Sequence, residues 1–82
     1  MEFRKGQIVI STAGRDKGRP LLITGFDGNS VLVCDGKERP LERAKRKNPR
    51  HLKATAMTLD VDTMDTNRKL KKALAALNSS EG

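Results

Sequence analysis

Apolar residues come along this chain in short bursts broken by turn formers. QIVIS (7–11), LLITGF (21–26) and SVLVC (30–34) are aliphatic and largely β-branched. Runs of this length and composition predict strands. Residues 12–20 hold two Gly and one Pro and form a loop. Asp27-Gly28-Asn29 supplies a hairpin turn, and Asp35-Gly36 is a second hairpin signal. Glu38–Arg43 reads as a fourth short strand, which Pro40 confines to an edge or a bulge. Arg50–Ala54 reads as a fifth, after an Asn48-Pro49 turn. Short strands, close-spaced turns and no helix before residue 60 predict a mostly-β protein, a small β-barrel. Ile8, Val9 and Ile10 are consecutive, so both strand faces are partly apolar and the pattern does not sort inside from outside.

The pattern changes after residue 54. ATAMTLDVDTMD is weakly periodic, and 55–65 reads as a linker. In TNRKLKKALAALN (66–78), Leu70, Ala73, Leu74 and Leu77 fall at i, i+3, i+4 and i+7, one apolar stripe of a helix. Asp65 or Thr66 caps its start, and SSEG (79–82) frays. About three helical turns are marginal in isolation, so the stripe must lie on something, the helix's own barrel or a partner. Residues 4–54 hold most of the Ile, Val and Phe, so the barrel is expected to lose little without the helix.

Charge then separates the middle of the chain from its ends. The net charge is +7, and residues 36–53 carry eight Lys/Arg against two Glu. A cluster this concentrated on a small domain is the electrostatic footprint of a nucleic-acid binder. The remaining alternative is a solvated basic loop.

The loop and the basic run together resemble a known family. Gly6-Gln7-Ile8-Val9, Gly14-Arg15-Asp16-Lys17-Gly18 and Leu22-Ile23 resemble the KOW motif of ribosomal proteins and NusG-type transcription factors. Val31-Leu32-Val33-Cys34-Asp35-Gly36, Arg39, Lys45-Arg46-Lys47-Asn48 and His51-Leu52 narrow this to the bacterial KOW RNA-binding proteins. Those are similar to KOW-type large-subunit ribosomal proteins of archaea and eukaryotes. The resemblance covers about residues 4–54. Ala44-Lys45 stands where the pattern usually has Pro-Lys, which leaves the path of 44–47 less fixed.

The resemblance implies an SH3-like barrel (1–54) that contacts ribosomal RNA through its first loop, followed by the linker and the helix. Gly14 and Gly18 would shape that loop for close approach to a phosphate. Arg15 can fork onto phosphate oxygens, and Lys17 and Arg19 add charge. Asp16 would repel phosphate, so it is expected to brace the loop through backbone N–H groups or an ion pair with Arg15 or Arg19. Lys37, Arg39, Arg43, Lys45, Arg46, Lys47, Arg50 and Lys53 form a second surface, with Lys45, Lys47 and Arg50 foremost. If 38–43 is a strand, Arg39 and Arg43 share a face. His51 is a hydrogen-bonded structural residue or a further RNA contact. The implied partners are the large ribosomal subunit and, through the helix, neighbouring ribosomal proteins. The protein is expected to be a monomer when free.

Other features restrict the reading. Phe3 and Phe26 are the only aromatics. With Phe26 expected in the core, no base-stacking platform is foreseen, and binding should follow phosphates and RNA shape. No paired carboxylates, phosphate loop or His near a nucleophile point to an enzyme, and no cofactor is implied. Asp60, Asp62 and Asp65 lack the Gly and Glu of a Ca²⁺ loop. Cys34 lies in an apolar run and reads as a packed residue. No apolar stretch approaches a membrane span or a signal peptide, so a cytoplasmic protein is expected. Two other readings stand beside the ribosomal one: a protein-binding module of transcription elongation and a general nucleic-acid-binding protein.

Overall fold

The three apolar bursts form adjacent strands: β1 (Gln7–Ser11), β2 (Pro20–Asp27) and β3 (Ser30–Cys34). β4 (Lys45–Lys47) and β5 (Leu52–Thr58) complete one sheet of order β4-β3-β2-β1-β5, antiparallel throughout. The helix α1 (Asn67–Ser79) follows. This computed structural model describes residues 3–79, and side chains through Leu77. The fraying expected beyond Ser79 lies outside the described residues. The fold is the mostly-β architecture with a C-terminal helix that the sequence predicts.

β2 turns into β3 through Gly28-Asn29, with Asp27 paired to Ser30. Gly28 has φ +59° and Asn29 has no positive φ, the pattern of a II′ turn. Two strand expectations need correction. Residues 38–43 are not a strand; Leu41–Arg43 is a 3₁₀ turn, so Arg39 and Arg43 share no strand face. The Asp35 carboxylate accepts the N–H groups of Lys37 and Arg39, both at 2.8 Å. These local bonds replace a ladder, and Asp35-Gly36 opens a long connection instead of a tight hairpin. The fourth strand is Lys45–Lys47, within the 44–47 segment that Ala44 leaves less fixed than a proline would.

Likewise the fifth strand starts at Leu52, because Pro49–His51 form a 3₁₀ turn whose Arg50 N–H is capped by the Asn48 side chain at 2.9 Å. β5 then runs to Thr58, through the first part of the expected linker. Pairing with β1 supplies the backbone bonds that the weak side-chain pattern did not announce.

β4 and β5 are the two edges, yet only four residues separate them. A flat five-stranded sheet would hold its edges about 19 Å apart, further than five extended residue steps of about 3.4 Å can reach. The sheet therefore curls. Val9, Leu21, Ile23, Val31, Val33 and Leu52 are buried inside the curl, with Phe3 against them. Alternate residues face outward: Ile8, Leu22 and Cys34 form a second cluster with Leu70 and Leu74 of α1.

The helical stripe thus lies on the protein's own sheet, and Leu70 is fully buried. The stripe is therefore covered by the protein's own sheet and not open to a neighbouring protein, and the burial of Leu70 runs against the expectation that the barrel loses little without the helix. α1 is also fixed at its start. Thr66 caps it, accepting the Lys69 N–H at 3.2 Å. The Asn67 side chain accepts the Leu41 N–H at 2.7 Å and donates to Glu42 at 2.6 Å. Gly36 (φ +81°) lies beneath this turn, where a Cβ would collide with the Asn67 carbonyl.

Candidate nucleic-acid interface

The loop between β1 and β2 begins from two glycines. Gly14 and Gly18 have φ of +79° and +86°, as their proposed role in loop geometry requires. The loop closes on itself through Gly18 N–H to the Ser11 carbonyl (2.8 Å), Ser11 N–H to the Arg19 carbonyl (3.1 Å) and Arg19 N–H to the Asp16 carbonyl (2.8 Å). Thr12 N–H donates to the His51 carbonyl at 2.8 Å, tying the loop to the turn before β5.

Asp16 is the brace, but not through the expected partners. Its side chain points under the loop and the residue is only 3% exposed. One carboxylate oxygen lies 3.5 Å from Lys47 Nζ and 3.7 Å from an Arg39 guanidinium nitrogen. Lys47 Nζ also donates to the Ala13 carbonyl at 3.3 Å. Arg15, adjacent in sequence, projects to solvent, and Arg19 pairs instead with Glu38 at 2.9 Å. A buried carboxylate between two cations avoids the cost of an unpaired interior charge.

This arrangement divides the predicted cations. The side chain of Lys47 is 11% exposed and that of Arg39 is 26% exposed, so both hold the loop and neither is a free phosphate ligand. The Arg39 Nε is buried without a hydrogen-bond partner among the described residues. Arg46 faces away from Lys45 and Lys47 on β4 and pairs with Asp27 at 3.3 Å. Lys53 pairs with Ile10 in register and lines a groove with Leu77, on the helix-covered side. Arg43 sits on the turn that contacts the start of α1.

Seven predicted cations are exposed and form no ion pair among the described residues: Arg15, Lys17, Lys37, Arg43, Lys45, Arg50 and Lys53. The structure brings Arg15 and Lys17 onto one braced loop and ties the turn carrying Arg50 and His51 to its base. It does not bring Arg46 and Lys53 to the face of Lys45. His51 is exposed, and its imidazole makes no hydrogen bond among the described residues, so the structural-histidine alternative falls.

Cys34 is buried, and burial raises its thiol pKa, while a contact with Thr24 opposes and Asp35 and Glu42 add to the rise. A protonated, enclosed thiol fits packing, not reactivity. Asp60 accepts the Asp62 N–H at 3.0 Å and so caps its own turn. No helix among the described residues is long and apolar enough to cross a membrane. No protein-family model matches the chain.

Sequence reasoning missed the partners of Asp16, which lie 23 and 31 positions away and leave no local signal. It also placed Phe26 in the core, whereas Phe26 is 50% exposed. The ring lies past the irregularity between Ile23 and Gly25, near the hairpin tip, where no other strand covers it.

Proposed function

We propose that this protein is a non-catalytic RNA-binding protein of the KOW class, acting on folded RNA of the large ribosomal subunit. The observation that carries the reading is the β1–β2 loop. Buried Asp16, with the half-buried Lys47 and Arg39, braces it, and Arg15 and Lys17 stand exposed and without an ion pair among the described residues. Such bracing reduces the conformational entropy lost on binding. Arg15 contributes a fork for phosphate oxygens and Lys17 a point charge. Arg50 and His51 extend the contact from the turn tied to the loop. Lys45 and Lys37 add exposed charge that strengthens long-range attraction to a polyanion.

The test is binding to a folded ribosomal-RNA fragment across a salt series. With about five phosphates neutralised, log K falls by about 0.7–0.9 per phosphate for each unit of log salt. Arg15→Glu with Lys17→Glu is expected to weaken binding more than tenfold while the circular-dichroism spectrum stays native. Unchanged affinity in that folded variant, or a flat salt response, would refute the reading. Sedimentation with large subunits, lost at high salt, is the expected result in cells. Sedimentation with RNA polymerase instead would favour the transcription alternative.

A further inference from the structure

The two aromatic side chains of the chain, Phe3 and Phe26, line one pocket of about 680 Å³. Gly28, Asn29, Ser30, Val31, Asn48, Pro49 and Arg50 also line it. Phe3 packs against the inner cluster, and Phe26 pairs in register with Val31, a member of that cluster. The pocket is therefore the mouth of the curled sheet, a common place for ligand sites in barrels.

Its chemistry is selective. Among the described residues, no acidic residue lines it. Arg50 is exposed and forms no ion pair among the described residues. The Asn48 carboxamide oxygen accepts the Arg50 N–H, which leaves its NH₂ group to donate elsewhere. The Asn29 amide and the Ser30 hydroxyl make no side-chain hydrogen bond among the described residues. An apolar floor, a half-exposed ring, three short polar side chains and one cation meet in a space that admits a single nucleotide.

We infer that this mouth captures one unpaired nucleobase of the bound RNA. The base stacks on Phe26, its edge meets Asn29 and Asn48, and its phosphate lies on Arg50. Ring stacking tolerates any base because each has a π face, and unpaired bases are what proteins read in folded RNA. The inference rests on the RNA-binding reading and adds a recognition element to it. A protein with this pocket prefers bulges and loops to continuous duplex.

The experiment uses two RNA hairpins identical except for one bulged 2-aminopurine. The wild-type protein is expected to bind the bulged hairpin about fivefold to a hundredfold more tightly, as stacking of one base provides, and to quench its fluorescence. Phe26→Ala should lose that preference yet keep the affinity for the paired hairpin. Phe26→Leu keeps an apolar side chain without the ring and should behave alike; Phe26→Trp should retain the preference. Equal binding of both hairpins by the wild type, or a preference that survives Phe26→Leu, would overturn the base pocket and leave the phosphate surface standing. Failure to bind either hairpin at low salt would overturn the RNA reading and this proposal together. A proline-rich peptide that binds in a Phe26-dependent manner, with no difference between hairpins, would assign the pocket to a protein partner and overturn the base proposal.

Discussion

The inner face of the sheet buries its apolar side chains by curling on itself, whereas the outer face buries them under α1. Val9, Leu21, Ile23, Val31, Val33 and Leu52 all come from strands. Ile8, Leu22 and Cys34 are covered by the buried Leu70 and Leu74 of α1, with the half-buried Leu41, Ala44, Leu59, Met64 and Leu77 packed around them. The helix in turn is too short to persist alone, so sheet and helix each complete the other. Charge follows a different logic: Asp16 pairs with both Lys47 and Arg39, while Arg15 and Lys17 on the same loop are exposed and form no ion pair among the described residues. A basic residue's role here follows from whether it points beneath the loop or above it, not from its place in the basic run.

The strongest challenge to this contrast is removal of residues 67–82. It uncovers Ile8, Leu22 and Cys34 together and is expected to lower Tm by well over 10 °C or abolish the cooperative melt. A truncated protein that melts within a few degrees of the full chain would show that the inner cluster stands alone. The finer version is Leu70→Ala, expected to cost about 2–5 kcal/mol because the site is fully buried and strand-backed. For a domain of this size that is about 10 °C or more in Tm.

Next in size is Asp16→Ala. It leaves Lys47 and Arg39 facing each other without their shared carboxylate. Because Arg39 is about a quarter exposed and both pairs are longer than 3.4 Å, the loss is expected at about 1–3 kcal/mol, below that of a fully sealed pair. A double-mutant cycle with Lys47→Ala should be clearly non-additive; additive losses would dissolve the brace. Amide exchange over residues 12–19 should rise in Asp16→Ala and stay unchanged in Arg15→Glu, since exposed loop charges change stability by under about 0.5 kcal/mol.

The smallest effect concerns the junction of the two regions. The hydrogen bond from Asn67 holds the exposed Glu42 carboxyl below the usual glutamate range. A lowered folded-state pKa stabilises the protein above the ordinary carboxylate range, and the gain is lost as pH falls through the lowered value. Glu42→Gln should therefore melt slightly below the wild type at pH 7, with the two curves converging in acid. Parallel curves down to pH 3 would show that this contact does not fasten the helix.

Much of this plan is legible in the chain. β1, β2 and β3 are aliphatic runs joined by readable turns, and the Leu70, Leu74 stripe announced a helix that needs cover. Ile8, Val9 and Ile10, ambiguous in sequence, are ambiguous because both faces really are buried or covered. What escaped is tertiary. Lys45-Arg46-Lys47 has no strand-like composition and becomes β4 only by pairing with Val31, Leu32 and Val33. After the buried Leu52, β5 carries the small and polar residues 53–56, whose strand state depends on β1. Of the candidate site, the basic residues were visible, but their division into supports and free cations was not, because ion-pair geometry links positions far apart.

One consequence lies in the three cations that make up β4. Among the described residues that strand has a partner on one side only, so its other flank offers unpaired backbone groups to any passing chain. Lysine and arginine along an edge are a recognised defence against such strand addition. Lys45, the free cation of this strand, thus attracts a polyanion and, together with Arg46, keeps copies of the protein from zipping together. Neutralising Lys45 and Arg46 to probe RNA contact would also strip that protection, and the variant would self-associate with rising concentration. Colloidal solubility and ligand affinity are therefore coupled at this edge.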